Sequence, residues 1–391
     1  MSATNFKKCG IVCEYNPLHN GHIRQISTAK KQTGCETLVC LMSGDFTQRG
    51  DGAVLDKYLR ANHAVKAGAD IVLELPVVFA TGSAEDFAYG AVKILSALGC
   101  DCMHFGSECG DIETLNSIAD FFLSPPASFN RKLQENLKKG LSYPQSVAKA
   151  VGKYFDNGIL DKPNNILAIE YLKEIKKQKS KMIPFTVARN SDYHSDDLLT
   201  EFCSASAIRA ACSEQEFKKI KRHVPDYVFA DLKEKQFFNQ RYYEIFAHAH
   251  LLTKTAEQLK KIYGADEGLD NRLRKNLCLP TFSDLLFETK SKRYTLVKVK
   301  RLILHSVLDI TKNSVKLAKK IKPYFKVLAI KSDRTDILSD FSSCPVSDVK
   351  NLNDSQKEIL SIDIKAANIY NALCCQKGNT DISSQMQKVD V

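Results

Sequence analysis

A chain of 391 residues exceeds one average domain and is long enough to bury a substantial core, so two domains are expected. With 44% hydrophobic and 26% charged residues, and no apolar run near the ~20 residues of a membrane span, the composition is that of an ordinary soluble protein and excludes helical spans. A net charge of +11 points to a polyanionic partner, because basic surfaces concentrate phosphate-bearing ligands. The 13 cysteines are odd in number and several sit in apolar segments (Cys9, Cys13, Cys35, Cys40, Cys278), which reads as buried thiols in a reducing compartment. The polar start Met1–Lys8 runs directly into an apolar stretch without the flanks of a signal peptide, so a cytoplasmic location is expected.

Taken in chain order, short apolar runs alternate with helical patterns through the first hundred residues. Strands are predicted over Cys9–Glu14, Thr37–Ser43, Ile71–Glu74 and Cys102–Phe105. Helices are predicted around Ile23–Lys31, Asp56–Ala67 and Asp86–Leu98. This is the pattern of a doubly wound α/β sheet with parallel strands. A helical stretch follows over Ile112–Gly140, then a capped helix at Asn164–Tyr171 and a strand over Met182–Ala188. From Glu214 the chain changes to helical periodicity with clustered lysines, which places a boundary near residue 213 between segments 1–213 and 214–378. The stretch 379–391 is polar and aperiodic and reads as a frayed tail.

The strongest chemical signal is Glu14-Tyr15-Asn16-Pro17-Leu18-His19-Asn20-Gly21-His22, where the first strand ends and the first long helix begins. Ligands of open parallel sheets bind beyond the carboxyl ends of the strands, and a helix N-terminus there offers unpaired N–H groups to phosphate. His19 and His22 fall on one face of the first helical turn, and Gly21 between them permits close backbone approach. Two imidazoles so placed serve as hydrogen-bond donors to a triphosphate as charge builds on its oxygens. Ser204-Ala205-Ser206-Ala207-Ile208-Arg209 is a second candidate, read alone either as an ordinary helix cap with a surface arginine or as a further phosphate contact. Cys100, Cys102, His104 and Cys109 lack a paired C-x-x-C framework, so no protein-held metal is expected.

His19-Asn20-Gly21-His22 resembles the HxGH signature of the nucleotidyltransferase superfamily, and Ser204–Arg209 is similar to that superfamily's later S-x-S-x-I-R element. A closer resemblance, covering most of the chain, is to the bacterial tRNA(Met) cytidine acetate ligase family. It is carried by Met42–Gly50, Gly68-Ala69-Asp70, Glu74-Leu75-Pro76, Phe105-Gly106-Ser107-Glu108, Pro163–Leu167, Glu267–Arg272 and Thr289–Thr295. It implies a Rossmann-like HxGH nucleotidyltransferase domain followed by a mainly α-helical domain that meets tRNA. The implied reaction joins ATP and acetate to give acetyl-adenylate and pyrophosphate, then moves the acetyl group to the wobble cytidine of elongator tRNA(Met). Magnesium would accompany ATP, held by its oxygens; no membrane or protein partner is implied.

By the same resemblance, His19, Gly21 and His22 are catalytic. The ATP site comprises Val12, Cys13, Glu14, Tyr15, Asn16, Pro17, His19, Asn20, Gly21, His22, Gln25, Gly106, Asn165 and Arg189, with Ser204, Ser206 and Arg209 on the distal phosphates. Gly106 lies where a missing Cβ would let adenine or ribose rest on the backbone. Read without the resemblance, Asn165 is equally a helix cap. Lys290, Lys292, Arg293, Lys298, Lys300 and Arg301 with Tyr294 suit an RNA backbone and a stacked base, or else form a solvated basic face; the resemblance favours RNA. Arg49 is open between phosphate or tRNA contact and loop bracing, and Asp45 is assigned no role. A small-molecule adenylyltransferase is the alternative, disfavoured by the large basic second half; a non-catalytic RNA-binding protein is disfavoured by the intact motifs.

Overall fold

The computed structural model describes residues 6–141, 143–152, 154–189, 204–235, 237–340, 351–374 and 386–391. Seven strands are present among them: β1 Lys8–Cys13, β2 Thr37–Ser43, β3 Ile71–Leu75, β4 Cys102–Ser107, β5 Ile183–Ala188, β6 Val327–Lys331 and β7 Gln387–Val389. They form one sheet in the order β5-β4-β1-β2-β3-β6-β7. The first five pair in parallel, as the alternating pattern predicts, and β6 joins β3 antiparallel.

β2 and β3 are buried at every residue, which a strand tolerates only when helices cover both faces. Alternation divides their side chains. Leu38, Cys40 and Met42 pack with Ile26 and Ala29 of α1 (Asn20–Thr33) and Ala61 and Val65 of α2 (Lys57–Lys66). Val39 and Leu41 face the other way, into the cluster holding α3 (Val77–Ala80), Phe87 and Leu95 of α4 (Ala84–Ala97), and Tyr171 of the Pro163–Lys177 helix.

Three expectations change. The single helical stretch over Ile112–Gly140 is two helices, Ile112–Leu123 and Ala127–Lys138. Pro125 and Pro126 lie between them, where neither can donate a helical N–H and each bars the residue before it from helical geometry. The segment beyond 213 is mainly helical, yet β6 returns to the sheet and covers the edge of β3. The tail expected over 379–391 is ordered at its end, where β7 pairs in parallel with β6; residues 379–385 lie outside the described ones. The change of element type near residue 213 does not divide the core. Ile208, Val228 and Leu232 pack in one cluster with Cys9 and Ile11, and Leu302 and Leu304 share the other with Val39.

Candidate active site at the carboxyl ends of the strands

The sequence turns sharply after β1. Tyr15 takes a left-handed φ of 45° with its ring buried, a backbone state that non-glycine residues adopt only when their surroundings hold it. Fully buried Arg60 supplies much of that hold. It donates to the carbonyls of Glu14 (2.6 Å), Ser43 (3.2 Å), Leu55 (2.9 Å) and Gly44, tying the ends of β1 and β2 into one rim. Beneath the rim, Lys57 Nζ lies 2.9 Å from Glu74 and 3.6 Å from Asp45, all three buried. Burial pushes the Asp45 carboxyl up to about 6 despite Lys57. Asp45 is a structural anchor, not a cavity residue.

The two histidines start α1 in a specific way. His19 is the N-cap and His22 the third helical residue, and each caps the other's backbone. His19 Nδ1 accepts from Gly21 N–H (3.1 Å), and His22 Nδ1 accepts from His19 N–H (3.3 Å). Burial, aided by neighbouring Arg189, holds His19 down at about 3; burial likewise depresses His22, with His19 next. Both rings are therefore neutral, and a neutral imidazole accepting at Nδ1 carries its proton on Nε2. The rings stack with centroids 3.7 Å apart and planes inclined by 27°, and both line the cavity. At Gly21 a Cβ would stand 2.9 Å from His19 Cε1, so only glycine leaves this stack intact.

These residues open on a cavity of about 310 Å³. Of the residues expected at the ATP site, Val12, Cys13, Glu14, Tyr15, Asn16, His19, Gly21, His22, Gln25, Gly106, Arg189, Ser204, Ser206 and Arg209 line it. Pro17, Asn20 and Asn165 do not. Asn20 turns away to donate to Arg222 O (2.9 Å). Ser204 is an N-cap after all, accepting from Ala207 N–H (3.1 Å), and its helix start faces the cavity with that of α1. Arg209 donates to Asn16 O (2.7 Å) and to Ser206 Oγ (3.2 Å), bridging the two motifs. Arg49 lines the cavity and donates to the same Ser206 Oγ (3.3 Å), while Gln48 N–H is held by Glu14 Oε1 (2.9 Å).

The other edge corrects two expectations. A Cβ on Gly106 would stand 2.9 Å from Arg189 Cδ, so the glycine makes room for the stem of this arginine. Arg189 in turn donates to Asn164 Oδ1 (3.1 Å), which makes Asn164 the cavity-lining asparagine. Asn165 is spent within the protein: Oδ1 accepts from the N–H groups of Glu108 (2.9 Å) and Cys109 (3.0 Å), and Nδ2 donates to Ile159 O (3.1 Å). Glu108 caps the start of the Pro163–Lys177 helix, accepting from Asn165 N–H (2.7 Å) and Asn164 Nδ2 (2.7 Å). The sequence reading also missed Arg24, Thr28, Phe87, Leu167 and Tyr171, all cavity-lining residues. Arg24 and Thr28 follow Gly21 at i+3 and i+7 and so had a sequence signal; the others reach the cavity only through tertiary packing.

The basic segment divides. Lys290, Lys292 and Arg293 are exposed, but Tyr294 is buried and its hydroxyl donates to Glu267 O, which removes it as a stacking face. Lys298 lies 3.4 Å and Arg293 3.5 Å from Glu267. Arg301 donates to Gly82 O (2.7 Å), and Lys300 pairs with Asp51 at 2.8 Å on the cavity wall. Phe287, three residues before Lys290 in the chain, is 74% exposed. Arg272 donates to the carbonyls of Thr289 (2.8 Å), Glu288 and Lys290 (3.3 Å), fixing the backbone that carries Lys290.

The comparisons agree with this geometry. A family model described as HIGH Nucleotidyl Transferase matches residues 6–386. The tRNA(Met) cytidine acetate ligase of Caldanaerobacter subterraneus subsp. tengcongensis is 44% identical over 317 residues, 78% of this chain and 79% of that protein. That of Clostridium perfringens is 35% identical over 382 residues, 93% of this chain and 94% of its own. The crystal structure of Thermotoga maritima TmcAL bound with alpha-thio ATP superposes with a TM-score of 0.88 at 30% identity, covering 98% of this chain and all of that one. Matched along nearly its whole length by the family model and by these relatives, the chain belongs to the HIGH nucleotidyl transferase family, among the tRNA(Met) cytidine acetate ligases.

Proposed function

We propose that this chain uses ATP to activate acetate as acetyl-adenylate and transfers the acetyl group to the wobble cytidine of elongator tRNA(Met), giving N4-acetylcytidine. The observation that carries the first step is the pair of neutral, stacked histidines lining the cavity, each with its Nδ1 taken by a backbone N–H and its Nε2–H left as a donor. In that step a carboxylate oxygen bonds to the α-phosphorus and the bond to the bridging oxygen of pyrophosphate breaks. The histidine donors, with the helix dipole behind them, meet the charge that develops on the phosphate oxygens. Arg49 and Arg209, joined at Ser206, suit the departing pyrophosphate. Mg²⁺ enters this reading with ATP, carried on its oxygens.

In the second step the cytidine N4 attacks the acetyl carbonyl carbon, the bond to the AMP oxygen breaks, and N4 loses a proton. Lys290, Lys292 and Arg293 are the proposed backbone contacts for tRNA, and the Lys300–Asp51 pair connects that basic segment to the cavity rim. The helical part from 214 would then serve as the tRNA platform. The relatives' names support this reading, and no helix among the described residues is long and apolar enough to cross a membrane.

The test supplies radiolabelled acetate, ATP and purified tRNA. Label confined to elongator tRNA(Met), with tRNA(Leu) unlabelled, is the expected result. ATP turnover with acetate but without label in any tRNA would sink the transfer step.

A further inference from the structure

The cavity has two chemically different ends. Around His22, Arg49, Arg189 and Arg209 it is polar and cationic. On the side of α4 and the Pro163–Lys177 helix its wall is Phe87, Phe105, Leu167 and Tyr171. Phe87, Phe105 and Tyr171 are 3%, 4% and 2% exposed and belong to the main core, and Leu167 packs at its margin. The Phe105 and Tyr171 rings lie 5.5 Å apart, tilted by 39°. Close-packed walls of this kind change shape only at a cost, so the space they leave has a fixed size.

One polar group sits in this apolar corner. The Tyr171 hydroxyl has no hydrogen-bond partner among the described residues, whereas the buried phenols of Tyr324 and Tyr370 are tied to Asp363 (2.7 Å) and to Ala53 O (2.8 Å). Unlike the Tyr243 hydroxyl, which is enclosed and unpaired, that of Tyr171 belongs to a cavity-lining residue, where a ligand acceptor can become its partner. The corner does not suit a purine, whose ring nitrogens and amine need several partners. It suits a group with a small apolar body and one acceptor edge.

We propose that this corner is the acyl subsite, with the methyl group of the acid against Phe87, Phe105 and Leu167, and one carboxylate oxygen accepting from Tyr171. The inference rests on the adenylating activity proposed above. The second carboxylate oxygen is left to bond to the α-phosphorus while the electron pair of the broken bond leaves with pyrophosphate. Leu167 sets the upper size of the acid, because the adjoining wall is rigid core.

The experiment measures acid-dependent pyrophosphate release with acetate, propionate and butyrate, varying ATP and acid separately. Leu167→Ala is expected to raise kcat/KM for butyrate relative to acetate about tenfold or more, the scale of one or two methylenes in an apolar pocket, with KM for ATP within about twofold. Tyr171→Phe, which keeps the ring and its packing, is expected to raise KM for acetate about tenfold and leave KM for ATP unchanged, the scale of a lost hydrogen bond. A rise in KM for ATP of equal size with every acid overturns the assignment and gives the corner to the nucleotide. Unaltered acid preference in both Leu167→Ala and the milder Leu167→Val, with wild type active on acetate, overturns it alone. Wild type inactive with acetate overturns the adenylation reading and the subsite together.

Discussion

The helix start at His19–His22 and the basic segment Lys290–Arg301 both stand out in the sequence, the first as a specific motif and the second as a charge run open to two readings, and the fold treats them oppositely. At the first, every short-range contact sharpens the motif: the two rings cap each other, stack at 3.7 Å and are held neutral by burial. At the second, distant residues claim the side chains one by one. Glu267 takes the Tyr294 hydroxyl and lies beside Lys298, Asp51 takes Lys300 and Gly82 takes Arg301, leaving Lys290, Lys292 and Arg293 at the surface. A motif whose geometry is closed within one helical turn survives folding as read. A run of charges is an inventory from which the tertiary structure selects.

The sharpest break of that contrast is at His22. His22→Ala should lower kcat for acetate-dependent pyrophosphate release by about 10²–10³, the cost of one preorganised donor to a developing anion, while the lost cap costs only about 1 kcal/mol of stability. Because burial holds His19 down at about 3 and His22 well below the ordinary 6.5, the rate should show no limb near pH 6.5 arising from them. A limb there that vanishes in His22→Ala would contradict the tautomer assignment. Stability runs with a definite sign. His19 at about 3, and His104 and His305 at about 4, lie below the ~6.5 of an unfolded histidine, so the unfolded chain binds more protons between those limits. Their contribution is complete above pH 6.5 and is lost as pH falls toward 3–4, which a Tm series at pH 7.5, 6 and 5 measures.

Next in size is the asparagine pair. Asn165→Ala strands the N–H groups of Glu108 and Cys109 and should cost about 2–4 kcal/mol in a denaturant melt. Asn164→Ala should cost less stability and instead raise KM for ATP; the reverse pattern would restore Asn165 to the site. A smaller effect is expected from Lys290→Ala/Lys292→Ala/Arg293→Ala, which should reduce the salt slope of tRNA binding by about 2–3 and leave acetate-dependent pyrophosphate release untouched. The smallest belongs to Tyr294→Phe, about 1 kcal/mol of stability with no change in tRNA affinity. Weaker tRNA binding in that variant at unchanged stability would reinstate the ring as a contact.

Local pattern determined much of the site and the fold. The five parallel strands were legible because each is an apolar run followed by a turn and a periodic helix, and the carboxyl edge of such a sheet is where ligands bind. His19, Gly21 and His22 were legible because strand, turn and helix start are contiguous in the chain. β7 was not, since three residues of Gln-Lys-Val show no period and gain their place only from the edge of β6. Arg60 was not, because nothing in Ala61-Asn62-His63 beside it tells that its guanidinium will be fully buried among four carbonyls.

By itself the sequence determined the five parallel strands, the phosphate-facing helix start and the family, since each rests on residues close in the chain or on a pattern repeated along most of it. Only the tertiary structure decided which of two adjacent asparagines lines the cavity and which lysines remain exposed. It also decided that Phe87, Phe105, Leu167 and Tyr171, spread over 85 positions of chain, form one wall. Those outcomes depend on which distant carbonyls, carboxylates and rings arrive beside a side chain, and packing at close range settles that after the backbone has been laid down.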